Sequence, residues 1–208
     1  GNQNSEEGSD QGAADEVAQN FRRLGDRAHG MDHTQHRCND AKETAEFYTK
    51  VLDMPYVAAV SETNVPSTGE TSPYMHIFFG MGDGSLVAFF EVPQSPPMQK
   101  DQNTPEWVQH LAMNVDSMEE LLEAKDKLEA NGVEVVGPTD HTFVQSIYFF
   151  DPNGHRLELA YNSARPGMME KLQESAESML AKWEEEKKVL PDVAWVHDGT
   201  GAQAFPET

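Results

Sequence analysis

The stretch DHTQHRCND, residues 32–40, carries two histidines three positions apart near the start of a predicted strand. Histidine is the commonest protein ligand for metals, so either ring could bind one. Successive side chains of a strand point to opposite faces, which places His33 and His36 on opposite sides. At most one of the two can therefore line the concave side of a sheet.

The order of predicted elements around this pair occurs twice. The first set is a strand at 31–38, a helix at 41–54 and strands at 56–62, 74–81 and 86–92. The second set is a strand at 107–115, a helix at 118–131 and strands at 133–137, 143–150 and 155–161. Each helix follows residues typical of an N-cap, Asn39-Asp40 and Asp116-Ser117. The sequence thus predicts an α+β fold of two βαβββ modules, at 30–95 and 106–162.

The duplication identifies four candidate metal ligands. His110 lies six residues before Asp116 and His33 lies seven before Asp40, so His33 is the counterpart of His110. The last strand of each module holds one glutamate among apolar residues, Glu91 and Glu158. A buried carboxylate costs several kcal/mol unless it is paired, protonated or metal-bound. Two histidines and two glutamates at corresponding positions indicate a mononuclear metal site.

Segments on both sides flank the modules. Residues 1–29 are expected to form an N-terminal arm, disordered or with a short helix at 13–24. Residues 165–208 form a C-terminal region, with a long amphipathic helix at 167–188 and an apolar tail containing Trp195. The apolar tail is expected to pack against another surface, and the region would close a cleft or join two subunits. We expect a homodimer.

The composition of the chain limits the classes of molecule that it is expected to bind. The formal net charge of −21 repels phosphate backbones and anionic lipids, which argues against nucleic acid and membrane partners. No segment approaches the ~18–20 apolar residues of a membrane span, and the N-terminus does not have the pattern of a secretory signal. We therefore expect a cytoplasmic protein. Its single cysteine, Cys38, cannot form an intramolecular disulfide.

With these motifs in view, the sequence resembles the vicinal oxygen chelate superfamily. HTQHRCNDAKETAEFYTKVLDM in the first module and SIYFFDPNGHRLEL in the second carry the resemblance, which covers residues 30–162. The group includes glyoxalase I, the fosfomycin and bleomycin resistance proteins and the extradiol dioxygenases. The resemblance implies two modules whose mixed sheets curve into a cleft around one divalent metal, bound by His33, His110 and Glu158.

Two chemistries fit this resemblance. In the extradiol dioxygenases a tyrosine lies ten residues before the ligand glutamate, and Tyr148 has that position relative to Glu158. His141 is near the position of a histidine that precedes this tyrosine. Both would hydrogen-bond the oxygens of the substrate, and Fe(II) is the expected metal. The acid–base histidine of those enzymes has no counterpart near Gly84 or Ser85, and His76 is the nearest substitute.

In the second chemistry, Glu91 acts as a fourth ligand and as the base of a glyoxalase-type lyase or isomerase that uses Zn, Ni or Mn. Arg37 and Arg156 are then the only basic residues on these strands that could bind a charged substrate. A third possibility is a protein that binds a ligand without chemistry. It is less favoured because such proteins need no metal, whereas this sequence has a complete set of candidate metal ligands.

Aromatic residues suggest the substrate class. Phe89 has the parity of Glu91, and Tyr148 and Phe150 have the parity of Glu158. If these rings line the cleft, an aromatic small molecule fits better than a small charged one. The leading prediction is a ring-cleaving dioxygenase that acts on an aromatic diol.

Overall fold

The first module is built as the sequence predicts. In the computed structural model, which describes residues 30–189 and 191–205, it begins with strand β1, His33–Cys38. Helix α1, Ala41–Glu46, follows and passes into a π-helical turn at Phe47–Val51. Strands β2 (Tyr56–Asn64), β3 (Thr71–Gly80) and β4 (Leu86–Glu91) complete the module. The predicted helix at 13–24 lies outside the described residues.

The second module repeats this order. Strand β5 (Leu111–Val115) leads into helix α2 (Met118–Ala130), and strands β6 (Val136–Asp140), β7 (Val144–Phe150) and β8 (Arg156–Asn162) follow. Strand β5 begins later than the predicted residue 107. Trp107 and Val108, which lie in a turn that precedes it, have exposed fractions of 67% and 45%. With no partner strand and no buried face there, these apolar residues do not extend the sheet.

The two sheets have equivalent topology. Their strand orders are β1-β4-β3-β2 and β5-β8-β7-β6, and in each the first strand pairs in parallel with the last. The helix caps show which residues of the two modules correspond. Asp40 caps α1 by accepting the amide of Glu43, and Ser117 caps α2 by accepting the amide of Glu120. His33 is seven residues before Asp40 and His110 is seven before Ser117. The two histidines therefore occupy the same position in the duplicated unit.

One face of each sheet is buried against its helix. In the first module the ring of Tyr48 stacks on Phe79 at 5.1 Å and lies 4.9 Å from Phe89, and all three side chains are fully buried. In the second, Leu121 and Leu128 of α2 belong to the same core cluster as Ile147, Phe149 and Leu157. The opposite face of each sheet is left to form the site.

The two modules meet at the turn between β7 and β8. Asn153 in this turn accepts the amide of Asn39 at 2.9 Å, and the His155 ring bonds the carbonyl of Arg37 at 2.6 Å. Tyr48 donates its hydroxyl to Asp151 at 3.2 Å. Polar contacts therefore link the Asp-Pro-Asn-Gly turn to the end of β1 and to the π-helical turn that follows α1.

The C-terminal region adds helix α3 (Met168–Glu186), a 3-10 helix (Pro191–Val196) and a short helix α4 (Gly201–Ala204). Thr142, in the turn between β6 and β7, donates its hydroxyl to the carbonyl of Val196. The rings of Trp195 and Phe205 pack together at 4.8 Å. The tail therefore contacts the turn between β6 and β7 of the second module. Within the part of the chain that is described, no helix is both long and apolar enough to span a bilayer.

The close contact between Gly201 of the tail and Thr142 gives a stability prediction. A Cβ at Gly201 would lie 2.4 Å from Cγ2 of Thr142 and 3.0 Å from the carbonyl oxygen of Trp195. We expect Gly201→Ala to lower the free energy of unfolding by ~1–3 kcal/mol, the usual cost of overpacking. Gly82→Ala is the control, because a Cβ there meets nothing within 4 Å. Equal urea midpoints for the two variants would show that the tail is not seated in this way.

Cys38 gives a second prediction. The side chain is 1% exposed, and burial raises the pKa of its thiol to about 11. The thiolate is the reactive form, so at pH 8 the native protein should react with a disulfide reagent such as DTNB far more slowly than the same protein in guanidinium chloride. Full labelling of the native chain at the denatured rate would contradict the buried position.

Candidate functional site

His110 and Glu158 form the centre of the candidate site. Glu158 lies on β8, paired with Ala112 of β5, and His110 immediately precedes β5. Nε2 of His110 lies 2.8 Å from Oε2 of Glu158, and the Glu158 side chain is only 9% exposed. Ser146, on the neighbouring β7, donates its hydroxyl to Oε1 of Glu158 at 2.5 Å. The strands thus place a nitrogen and an oxygen donor in contact.

His33 occupies the corresponding position of the first module. Its Nδ1 lies 2.5 Å from a carboxylate oxygen of Asp32, and the side chain is 38% exposed. A neutral ring that donates through Nδ1 leaves the lone pair of Nε2 available for a metal. No group of three or more His, Cys, Asp or Glu side chains that could hold a metal occurs among the described residues. The structure of one chain therefore does not bring His33 to His110 and Glu158.

The donor set fits a divalent metal. Imidazole nitrogen and carboxylate oxygen suit Fe(II), Mn, Zn and Ni, and metal-binding side chains are typically held by a second hydrogen bond. Two of the candidate ligands have such a hydrogen bond in this structure: His33 with Asp32, and Glu158 with Ser146.

The predicted place of Glu91 in the cleft is wrong. The carboxylate Oε2 of Glu91 accepts the backbone amide of Ala41 at 2.7 Å, at the first turn of α1. Glu91 pairs with Cys38, whose side chain is buried on the helix side of the sheet. Glu158 pairs with the residue two positions after His110, and the residue two positions after His33 pairs with Ala88. Ala88 is therefore the counterpart of Glu158 in the first module. Its methyl group offers no donor, so the structure brings no fourth ligand from β4 to the site.

The predicted place of Phe89 is wrong for the same reason. Phe89 has no exposed surface and its ring packs against Tyr48 on the helix side. The adjacent Phe90 takes the cleft side instead. Its ring stacks on His76 at 3.8 Å with an interplanar angle of 16°, and it pairs with Arg37 of β1. The first module does present an aromatic surface beside His33, but it is made by Phe90 and His76.

His141 and Tyr148 come together as the resemblance implies. Nε2 of His141 lies 2.8 Å from the hydroxyl of Tyr148, and Tyr148 pairs with Glu158 across β7 and β8. Burial, with a contribution from the Glu158 carboxylate, raises the pKa of the Tyr148 phenol above its ordinary value. The phenol is therefore protonated at neutral pH and can donate a hydrogen bond. This pair lies on the same face as His110 and Glu158.

The remaining predicted binding residues divide between the modules. In the first, His76 bonds Gln35 at about 3 Å and its pKa is lowered by burial and by His33, while Arg37 donates to the carbonyl of Pro96. In the second, the guanidinium of Arg156 lies 4.4 Å from the ring centre of Tyr148, and Phe150 pairs with Arg156.

A cavity of about 430 Å³ adjoins His110. Phe150 and Arg156 line it from the sheet, and Lys100 and Glu106 line it from the segment that joins the modules. Such a volume is in the range of small-molecule sites.

Several site residues were not singled out from the sequence. Asp32 and Ser146 support the candidate ligands, and their signals were present, since Asp32 adjoins His33 and Ser146 has the strand parity of Tyr148. Phe90 gave no usable signal, because β4 is apolar on both faces.

Comparison with known proteins agrees with this fold. A model of the Glyoxalase/Bleomycin resistance protein/Dioxygenase superfamily matches residues 30–159. The glyoxylase/bleomycin resistance protein/dioxygenase domain from Frankia sp. EAN1pec is 18% identical, with a TM-score of 0.54 over 64% of this chain and 97% of that chain.

Two further solved structures are similar. The fosfomycin resistance protein FosX from Listeria monocytogenes, complexed with Mn(II) and sulfate ion, is 21% identical with a TM-score of 0.47, over 65% of this chain and 93% of that chain. The trypanothione-dependent glyoxalase I from Leishmania major is 19% identical with a TM-score of 0.49, over 78% of this chain and all of that chain. At these identities and scores the two carry no argument about activity.

Proposed function

Because the chain belongs to the Glyoxalase/Bleomycin resistance protein/Dioxygenase superfamily, we propose that it is a divalent-metal enzyme that cleaves the ring of an aromatic diol with dioxygen. The observation that carries the proposal is the Tyr148–His141 pair, which lies on the same sheet face as the donors His110 and Glu158. The absence of a donor at Ala88 favours three protein ligands over the four of a glyoxalase-type site. Two histidines and one carboxylate are the ligand set of many non-haem Fe(II) oxygenases.

The third ligand is assigned to His33 of a second copy of the chain. His33 has the position of His110 in the repeat and a carboxylate partner, yet it does not reach the His110–Glu158 pair within one chain. A homodimer in which the first module of one copy faces the second module of the other would bring the three donors together. It would also place the Phe90–His76 surface opposite Tyr148 and Phe150.

Each side chain then has a defined task. A divalent metal held by His33, His110 and Glu158 would supply a Lewis acid and, as Fe(II), redox chemistry between diol and dioxygen. Tyr148, which is protonated in the free enzyme, donates its proton toward a substrate oxygen, and His141 returns a proton to the hydroxyl through the 2.8 Å contact. Phe150 and Phe90 provide apolar walls against which an aromatic ring can stack.

The overall reaction needs no external reductant. One ring carbon–carbon bond next to a hydroxyl-bearing carbon breaks, and both atoms of one dioxygen enter the ring-opened product. The two electron pairs that reduce dioxygen come from the diol itself.

The test is oxygen uptake by the full chain. Protein stripped of metal is reconstituted anaerobically with Fe(II), Mn(II), Zn(II) or Ni(II) and then assayed on a panel of catechols in an oxygen electrode. We expect uptake with Fe(II) or Mn(II), a coloured ring-opened product, and none with the Glu158→Gln variant. Absence of uptake with every metal and catechol, or isomerase activity on a hemithioacetal under Zn or Ni, would overturn the dioxygenase assignment.

A further inference from the structure

The cavity beside His110 holds an arginine that has no anionic partner. The Arg156 guanidinium lies over the ring of Tyr148 at 4.4 Å, half-buried, and its Nε is buried without a hydrogen-bond partner. Within residues 30–189 and 191–205, no carboxylate forms an ion pair or a hydrogen bond with it. In a chain with 36 acidic and 15 basic residues, an arginine without such a partner is unexpected.

The acidic groups that line the same cavity are already engaged. Glu106 binds Lys100 at 2.6 Å, and this pair, with a smaller contribution from Arg156, lowers the pKa of Glu106. Asp101 accepts from the hydroxyl of Thr104 and from the amide of Asn103. Neither carboxylate neutralises Arg156 by direct contact. Because the Nε of this half-buried guanidinium is buried without an acceptor, the site is complementary to an incoming anion.

We propose that Arg156 binds a carboxylate group on the substrate, so that the enzyme acts on an aromatic acid rather than on a neutral catechol. The planar fork of a guanidinium matches a carboxylate through two parallel hydrogen bonds. The Tyr148 ring supports the guanidinium from below, and Phe150, which pairs with Arg156 and lies under Lys100, lines the same cavity. This inference rests on the proposed function for the identity of the bound molecule as substrate, but not for the binding itself.

The experiment measures binding of benzoate and of its neutral isostere benzamide to the full chain by calorimetry. The titrations are done on the chelated protein and again with Mn(II) added. Neither probe is a diol, so neither can be turned over in either condition. We expect benzoate to bind more tightly than benzamide by at least about tenfold under both conditions, the scale of one charge-assisted pair. Equal affinities, or no detectable benzoate binding, would overturn the proposal.

Variants assign the preference to Arg156. Arg156→Met should abolish the preference for benzoate, and Arg156→Lys should keep part of it, because an ammonium retains the charge but not the fork. Lys50→Met is the matched control, since it removes one positive charge from an exposed pair with Glu46 and should leave the preference unchanged. If Arg156→Met does not fold, Arg156→Lys with an undiminished preference would equally contradict the assignment. Oxygen uptake on catechol without any benzoate preference would refute this inference and leave the proposed function standing.

Discussion

Glu158→Gln should lose the metal while Glu91→Gln keeps it. Glu158 contacts His110 at 2.8 Å on the site face, whereas Glu91 accepts the amide of Ala41 on the other face of its sheet. We expect Glu158→Gln to weaken Mn(II) binding at least ~100-fold, beyond the ~10–100-fold cost of losing an outer-shell partner. Isothermal titration with Mn(II) of the chelated protein measures both variants.

The two substitutions are matched in chemistry, since each replaces a strand carboxylate by its isosteric amide. Glu91→Gln should leave the Mn(II) affinity within about twofold and lower the free energy of unfolding by ~0.3–1 kcal/mol, because the amide oxygen still accepts the Ala41 N–H but the negative charge beside the N-terminus of α1 is lost. Metal loss in Glu91→Gln would show that Glu91 turns into the cleft and would favour the four-ligand, glyoxalase-type chemistry.

Tyr148→Phe should lower kcat by ~10²–10⁴, the range that general acid–base catalysis contributes, and leave metal binding nearly unchanged. The substitution removes the hydroxyl that bonds His141 and keeps the ring that supports Arg156. The rate constant of oxygen uptake and the Mn(II) affinity are the two measurements.

Tyr161→Phe is the control for this variant. Tyr161 lies on β8 with the opposite strand parity to Glu158 and belongs to the residues packed against the core. It should therefore retain kcat within about twofold. A Tyr148→Phe enzyme with full activity would remove Tyr148 and His141 from the proposed chemistry.

The repeat could be predicted from the sequence, and so could the face of the second sheet that Glu158 occupies. His33 and His110 could be matched by their distance from the helix caps, and the structure sharpens that match to seven residues in both modules. In β8 one polar residue, Glu158, stands between two leucines, which marks the face it occupies. The positions of Tyr148 and His141 on that face followed from the family resemblance.

The side-chain orientations of β4 in the first module could not be predicted in the same way. In β4, Val87, Ala88 and Phe89 are all fully buried, so hydrophobic alternation does not reveal which side chains face the helix. A strand covered on both faces reads as a continuous apolar run. A shift of one residue in the assumed parity then exchanges Phe89 for Phe90 and moves Glu91 from the helix side to the cleft. Only the pairing of β4 with β1 fixes the choice.

A mixed dimer distinguishes a site in which His33 of one copy joins His110 and Glu158 of another from a site built within one chain. His33→Ala and Glu158→Gln chains, co-expressed with different tags and purified through both, each lack one ligand. If the site spans two copies, one of the two sites in this heterodimer is intact, and we predict one tightly bound Mn(II) per dimer and none in either parent homodimer. No tight Mn(II) site in the purified heterodimer would mean that the three donors come from a single chain and would overturn the shared site.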